Sequence, residues 1–175
     1  MSRKQRLSAD DWLNAGLKAL AASGPQALKA EPLARALDTT KGSFYWHFED
    51  VPRYRQDLLN FWRDASAKIP SRPSEKSEAV AQLQKIMKDG FGDDPATEAA
   101  MRSWATSDPD AAATIAELDS ARLDHLGELL RQLGVTNRDL ALSLYSAKVG
   151  MSVLDKGTRN DDALASLVDM VLALR

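Results

Sequence analysis

LKAEPLARALDTTKGSFYWHF, residues 28–48, decides how the rest of the chain is read. Proline has no N–H and its ring clashes with a preceding helical turn, so Pro32 fits a helix only in the first turn. A short helix is therefore predicted from about Ala30 to Leu37, with Leu33, Ala34 and Leu37 facing inward and the small Ala34 permitting a close crossing. Asp38-Thr39-Thr40 makes the break, and a second short helix is expected from about Lys41 to His47. Phe44 and Phe48 stand four apart and share a face, which makes both core anchors. The other face then presents Thr40, Lys41, Ser43 and Trp46, with His47 near its edge. Two short helices across a tight break, with an earlier helix to pack on, form a helix-turn-helix unit. Polar and basic groups on a short exposed helix suit insertion into a DNA major groove. Lys41 can reach a guanine edge or a phosphate, and the hydroxyls of Thr39, Thr40 and Ser43 can serve either role. Tyr45 reads as a backbone contact or as packing, and Trp46 as a DNA contact or a flank of the interface.

Outward from this segment the pattern stays helical. Leu13, Leu17 and Leu20 recur at helical spacing between Ser8 and about Ala22, with Ser8 as N-cap and Asp10 and Asp11 in the first turn, where the helix dipole favours acids. Gly24-Pro25 ends that helix. A longer helix is expected from Pro52 to Lys68, with Pro52 in its first position. Ile69 to Glu78, polar and carrying two prolines, reads as a linker. Further helices are predicted over 77–89, 95–105, 109–133, 138–155 and 161–174. Asp94-Pro95 and Asp108-Pro109 are cap-plus-first-turn pairs, Asn137 precedes another apolar-periodic run, and Gly134 stops the long helix. The expected fold class is all-α, about nine helices, with a three-helix head over residues 1–50 and a helical body over residues 51–175.

Composition narrows the function. The 175 residues are 44% hydrophobic, ordinary for a globular chain that buries a core. There is no cysteine, so disulfides, thiolate zinc sites and cysteine nucleophiles are excluded. The chain shows no glycine-rich phosphate loop, no HExxH and no Ser/His/Asp set in a structural context, so an enzyme is not expected. No metal or other cofactor is expected either, and His47, Asp119 and His125 have no ligand spacing. No signal-peptide-like run opens the sequence, and no stretch approaches the about 18 uninterrupted apolar residues of a membrane span. A cytoplasmic protein without a membrane partner is the expectation. Net charge is −2, but residues 1–64 hold ten Lys/Arg against eight Asp/Glu while residues 65–175 hold thirteen against seventeen. That asymmetry permits a DNA-binding head on an acidic body, with binding carried by local placement of Arg and Lys. The basic arm Arg3, Lys4 and Arg6 reads as a phosphate contact or a solvated tail.

The runs LARAL at 33–37, KGSFYWHF at 41–48 and PRYRQDLLNFW at 52–62 resemble the DNA-binding region of the TetR family of bacterial transcriptional regulators. The stretch 101–134 is similar to a body type found in some of them. The resemblance implies a homodimer on a palindromic double-stranded operator, an effector cavity in each body, and repression relieved by ligand. It also implies that Tyr45 and His47 hold the DNA backbone and that Lys41 begins the recognition helix. Two positions depart from the family pattern. Asp38 stands where a turn glycine is usual, and Val51 replaces a frequent Lys or Arg, with Arg53 and Arg55 the nearest basic residues.

In the body, Trp62, Met87, Phe91, Met101, Trp104, Leu118 and Leu126 are candidates for an apolar cavity wall, although each also reads as ordinary core. Arg102, Asp119, Arg122 and His125 are candidates for its polar contacts, with Asp119 and Arg122 close enough on a helix to pair with each other. The small-molecule effector expected from such a cavity is apolar or amphipathic. The last two helices carry the predicted dimer contact, or else complete an intramolecular core: Leu140, Leu144, Ala147 and Met151 on one, and Leu164, Leu167, Val168 and Val171, with Leu172 and Leu174, on the other. The function read from all this is an operator-binding repressor released by an effector. The competing reading is a helical protein-interaction module with a degenerate head.

Overall fold

The structure, a computed structural model, describes residues 7–154 and 158–173. Arg3, Lys4 and Arg6, and Leu174 of the predicted dimer contact, lie outside the described residues. Among the described residues the chain is all-helical: α1 (Ala9–Ser23), α2 (Ala30–Ala36), α3 (Lys41–Phe44), α4 (Val51–Ser66), α5 (Lys76–Asp89), α6 (Pro95–Ala105), α7 (Pro109–Gln132), α8 (Asp139–Leu154) and α9 (Thr158–Leu172). None of the described helices is long and apolar enough to cross a membrane.

Local chemistry accounts for most of the boundaries. Ser8 and Asp11 close a capping box on α1, each side chain accepting from the other's backbone N–H. Gly24, at φ +78, ends α1 by donating its N–H to the Leu20 carbonyl, and a short 3-10 turn over Pro25–Ala27 follows. The Asp50 carboxylate accepts the Arg53 N–H at 2.7 Å and so caps α4. The helix thus begins at Val51, and Pro52 occupies its second position instead of the expected first. α6 begins at Pro95 and α7 at Pro109, as their cap-and-proline pairs indicated. α9 starts at Thr158, ahead of the expected 161.

Packing divides the chain into two compact units, Met1–Ala65 with Ala96–Ile115, and Ser66–Pro95 with Ala116–Arg175. Tyr54 and Leu58 of α4 are fully buried within the first unit. The first unit buries Trp12, Leu20, Leu28, Leu33 and Phe44. In the second, Leu83, Met87, Leu126, Leu129, Leu144, Leu164 and Val168 form one core drawn from α5, α7, α8 and α9. The predicted linker is an ordered segment of this second unit. The Gln82 amide donates to the Ser71 carbonyl, Gln132 donates to that of Pro73, and Arg72 pairs with Glu128.

Candidate nucleic-acid interface

The turn before α3 answers the question raised by Asp38. Its φ is +49, the left-handed conformation that a turn glycine supplies, and Asp tolerates this better than most residues. Asp38 N–H bonds to the Arg35 carbonyl at 3.2 Å and Thr39 N–H to that of Ala34 at 2.9 Å, so the departure leaves the turn closed. Thr40 is the N-cap of α3, its extended backbone leading in and its hydroxyl accepting the Ser43 N–H at 3.4 Å. The expected helix to His47 is shorter: α3 ends at Phe44, and His47 N–H bonds back to the Phe44 carbonyl three residues earlier. The last turn tightens in this way while Phe48 still bonds to the same carbonyl at 3.1 Å.

Phe44 and Phe48 are buried as predicted. The Phe44 ring lies 5.4 Å from Trp12, 5.2 Å from Phe48 and 5.1 Å from Tyr54, and Phe48 meets Tyr54 edge-on at 4.8 Å. Offset and edge-to-face aromatic pairs of this kind add to the area they bury. This cluster fixes the inner face of α3 and thereby sets what is left outside. Trp46 is 81% exposed and Tyr45 47%. Lys41 is exposed, with its ammonium 5.9 Å from the Tyr45 ring centroid. Ser43, Thr39 and His47 are half-buried.

An open groove of about 500 Å³ runs between α2 and α3, lined by Lys29, Glu31, Pro32, Arg35, Lys41, Tyr45 and Val51. Lys29 and Arg35 were missed from the sequence: Arg35 lies on the face of α2 opposite buried Leu33 and could have been read from that spacing, whereas Lys29 is the extended N-cap residue before the helix, where helical spacing gives no signal. Arg35 also pairs with Glu31 at 3.2 Å. Neither basic neighbour of Val51 is directed plainly to a phosphate: Arg53 pairs with Asp57 at 3.2 Å and Arg55 donates to the Pro25 carbonyl at 3.4 Å.

The expected effector residues divide between the two units. Trp62, Met101 and Trp104 belong to the first and are buried, and Arg102 pairs with Glu98 at 2.8 Å. Met87, Phe91, Asp119, Arg122 and His125 belong to the second. There Asp119 accepts the Tyr145 hydroxyl and Arg122 pairs with Asp93, so the polar residues engage partners the sequence did not indicate. Met87 sits with Val168 at a groove of about 310 Å³ between α5 and α9.

The residues of the predicted dimer stripe lie in or against the core of the second unit. Leu144, Leu164, Val168 and Val171 are buried in their own unit's core, and Leu140, Ala147, Met151 and Leu167 pack against it. The large apolar side chains left outside are Leu142, Val153 and Leu154 on α8 and Met170 on α9.

No protein-family model and no curated protein matches the sequence. Solved structures do. A transcriptional regulator from Rhodococcus sp. Rha1 superposes with a TM-score of 0.71 over 96% of this chain and 95% of that one, at 16% identity. A TetR transcriptional regulator from Agrobacterium tumefaciens gives 0.64 over 95% and 92%, at 18% identity. BioQ of Mycobacterium smegmatis, also solved with its double-stranded DNA operator, gives 0.55 over 95% and 99%, at 24% identity. Over nearly its whole length, therefore, the chain has the fold of TetR-type transcriptional regulators.

Proposed function

We propose that this protein is a DNA-binding transcriptional regulator, a repressor that occupies a palindromic operator as a homodimer and leaves it when a small-molecule effector binds. Residues 1–50 act as the DNA-binding head and residues 51–175 as the effector-binding and dimerising body. The observation that carries the reading is the outer face of α3, where Lys41, Tyr45 and Trp46 stand in solvent over a locked aromatic core. Lys41, Thr39 and Ser43 contact base edges or phosphates, Tyr45 and His47 hold the backbone, and Lys29 and Arg35 add local positive charge beside them. Thr40 contributes chiefly as the cap that starts the helix.

A twofold dimer explains how so short a helix selects a site, because two copies enter successive major grooves about 34 Å apart. The dimer face is the outer side of α8 and α9, around Leu142, Val153, Leu154 and Met170, since these are apolar and exposed in the single chain. Nothing in the mechanism requires bond-making chemistry, and the protein acts in the cytoplasm, where its operator is. An effector that binds the body more tightly in a second head geometry shifts the population away from DNA, with the continuous α4 as the lever.

The test is selection of bound sequences from a random double-stranded DNA pool by the purified protein. A palindrome with half-sites about one helical turn apart is the expected result. Recovery of no preferred sequence from folded protein would replace this reading with the interaction module, which Val51, in the groove beside Lys41 and Tyr45, keeps in view.

A further inference from the structure

The second unit buries charge where an apolar core would serve. Arg122 of α7 is 2% exposed, and its guanidinium pairs with the Asp93 carboxylate, itself 8% exposed. Arg122 also donates to the Tyr145 hydroxyl at 3.5 Å, and that hydroxyl donates to Asp119 at 2.6 Å. The guanidinium lies over the Phe91 ring, 5.1 Å from its centroid. The same ring meets His125 edge-on at 6.3 Å and Tyr145 at 6.5 Å. The His125 Nε2 is buried and has no hydrogen-bond partner among the described residues. Burial lowers the pKa of this imidazole from the usual 6.5, against the nearby Glu128 charge, so it tends to be neutral.

The origin of the anionic partner is informative. Asp93 lies in the stretch GFGDD, residues 90–94, between α5 and α6. Gly90 and Gly92 hold φ of +77 and +103, and a Cβ at Gly92 would meet nothing within 4 Å. The second glycine therefore answers a backbone requirement and not a packing one. A buried ion pair is commonly no more stabilising than apolar residues of equal volume, whereas removing one partner leaves a buried charge unpaired and is strongly destabilising. Exchange of one carboxylate for another avoids that cost, because Arg122 stays paired throughout.

We propose that Arg122 anchors the effector site of this body and that its ligand is an organic carboxylate with an aromatic or apolar body, which takes the place of Asp93. The inference rests on the regulator reading and narrows its apolar or amphipathic effector to an amphipathic anion. The planar guanidinium accepts a carboxylate with two parallel hydrogen bonds. Phe91 supplies an aromatic wall for the body of the ligand, and the neutral His125 ring can donate from Nε2 in one tautomer. The displaced Asp93 swings toward water about Gly92, a change in a few loop dihedrals of the kind that hinges use, while Phe91 before that glycine stays in place.

Benzoate is the probe and benzamide its neutral counterpart, each titrated by calorimetry into the full chain, the Asp93→Asn variant and the Asp93→Asn/Arg122→Met variant. The last contains neither member of the ion pair and so avoids an unpaired guanidinium if Asp93→Asn alone folds poorly, while Asp119 keeps the Tyr145 hydroxyl. Benzoate should bind the wild type, bind Asp93→Asn at least about tenfold tighter because the internal competitor is gone, and fail to bind the double variant. Benzamide should bind none of them. Equal benzoate affinity in wild type and Asp93→Asn, binding that survives in the double variant, or no uptake by any chain overturns the proposal. If Asp93→Asn does not fold alone, benzoate but not benzamide should raise its folded fraction, and failure to do so counts against the site in the same way. Operator selection is scored separately. Benzoate uptake without DNA binding removes the regulator reading alone, and DNA binding without benzoate uptake removes the anion site alone.

Discussion

The Tyr54 hydroxyl donates to the main-chain carbonyl of Trp12 at 2.9 Å, tying the first turn of α4 to α1 inside the head. Burial pushes the pKa of this phenol well up, so it remains a neutral donor throughout the physiological range. The approach is close because residue 16 has no side chain. A Cβ there would lie 2.0 Å from the Tyr54 hydroxyl oxygen, 3.1 Å from its Cζ and 3.2 Å from a Leu58 methyl. Gly16→Ala should therefore destabilise the protein by about 1–3 kcal/mol through overpacking. Tyr54→Phe should cost about 1 kcal/mol through the lost hydrogen bond. The two effects should combine to less than their sum, because removing the hydroxyl removes the worst clash. Urea unfolding of the four-member cycle measures this, and strict additivity would show that the contact does not limit residue 16.

The recognition segment should separate folding from DNA binding residue by residue. Phe44→Ala empties the centre of an aromatic cluster and should cost about 3–5 kcal/mol of stability. Trp46→Ala removes a side chain that is 81% exposed, so stability should stay within about 0.5 kcal/mol. Operator affinity, measured by fluorescence anisotropy, should nonetheless fall about tenfold or more, in line with losing a groove contact worth about 1–3 kcal/mol. Lys41→Ala should also weaken binding and flatten its salt dependence by about one counterion. An unchanged operator affinity in both variants would count against α3 as the reading element.

These contrasts show where sequence was enough and where it was not. Phe44 and Phe48 could be placed inside because one local rule, four residues on a helix face, decides the matter. The starts of α6 and α7 were equally plain, since a cap and a proline act within one turn. The end of α3 was not readable: Tyr45 to His47 keep near-helical backbone but close a tighter turn, a difference of one residue in hydrogen bonding. Arg122 and Asp93 are 29 residues apart in sequence, and their pairing depends on how α5 and α7 pack. The outward face of α8 escaped for another reason: apolar residues cover all of the helix circumference but the narrow arc of Asp139, Ser143, Ser146 and Gly150, and Leu142, Val153 and Leu154 border that arc.

The capping box of α1 makes a pH prediction. Asp11 accepts the Ser8 N–H and the Ser8 hydroxyl, each at 2.8 Å. The backbone bond first, then the hydroxyl, hold its carboxyl below the ordinary value of 3.8, with a smaller contribution from the His47 charge. A pKa depressed by folding gives stability that is present above the unfolded value and lost as pH falls through the folded one. Asp11→Asn should therefore lower Tm at neutral pH, and the gap from wild type should close in acid, below the folded pKa. Thermal scans of both proteins from about pH 7 to about pH 2 follow this. A gap that stays constant over the range would mean that the carboxylate charge is not what the cap uses.

The outer side of α8 is the proposed dimer face. Its inner face sends Ala141, Leu144 and Tyr145 into the core of its own unit. Its outer side leaves Leu142 55%, Val153 76% and Leu154 84% exposed, and Met170 of α9 is 60% exposed. A Cβ at Gly150 would meet nothing within 4 Å, so the surface there is open and another helix can come near. In a twofold contact every residue appears twice, so a single Leu142→Glu places two carboxylates in one desolvated patch. Leu142→Glu and Val153→Glu should each give a folded monomer, with helical content kept and the sedimenting mass halved. Leu144→Ala should behave differently, losing about 2–5 kcal/mol of stability from an internal cavity while the folded fraction remains dimeric. Operator affinity should collapse in the two glutamate variants even though α3 is untouched, because half-sites are then bound one at a time. A Leu142→Glu/Val153→Glu protein that keeps the wild-type mass would move the dimer contact off this face of α8.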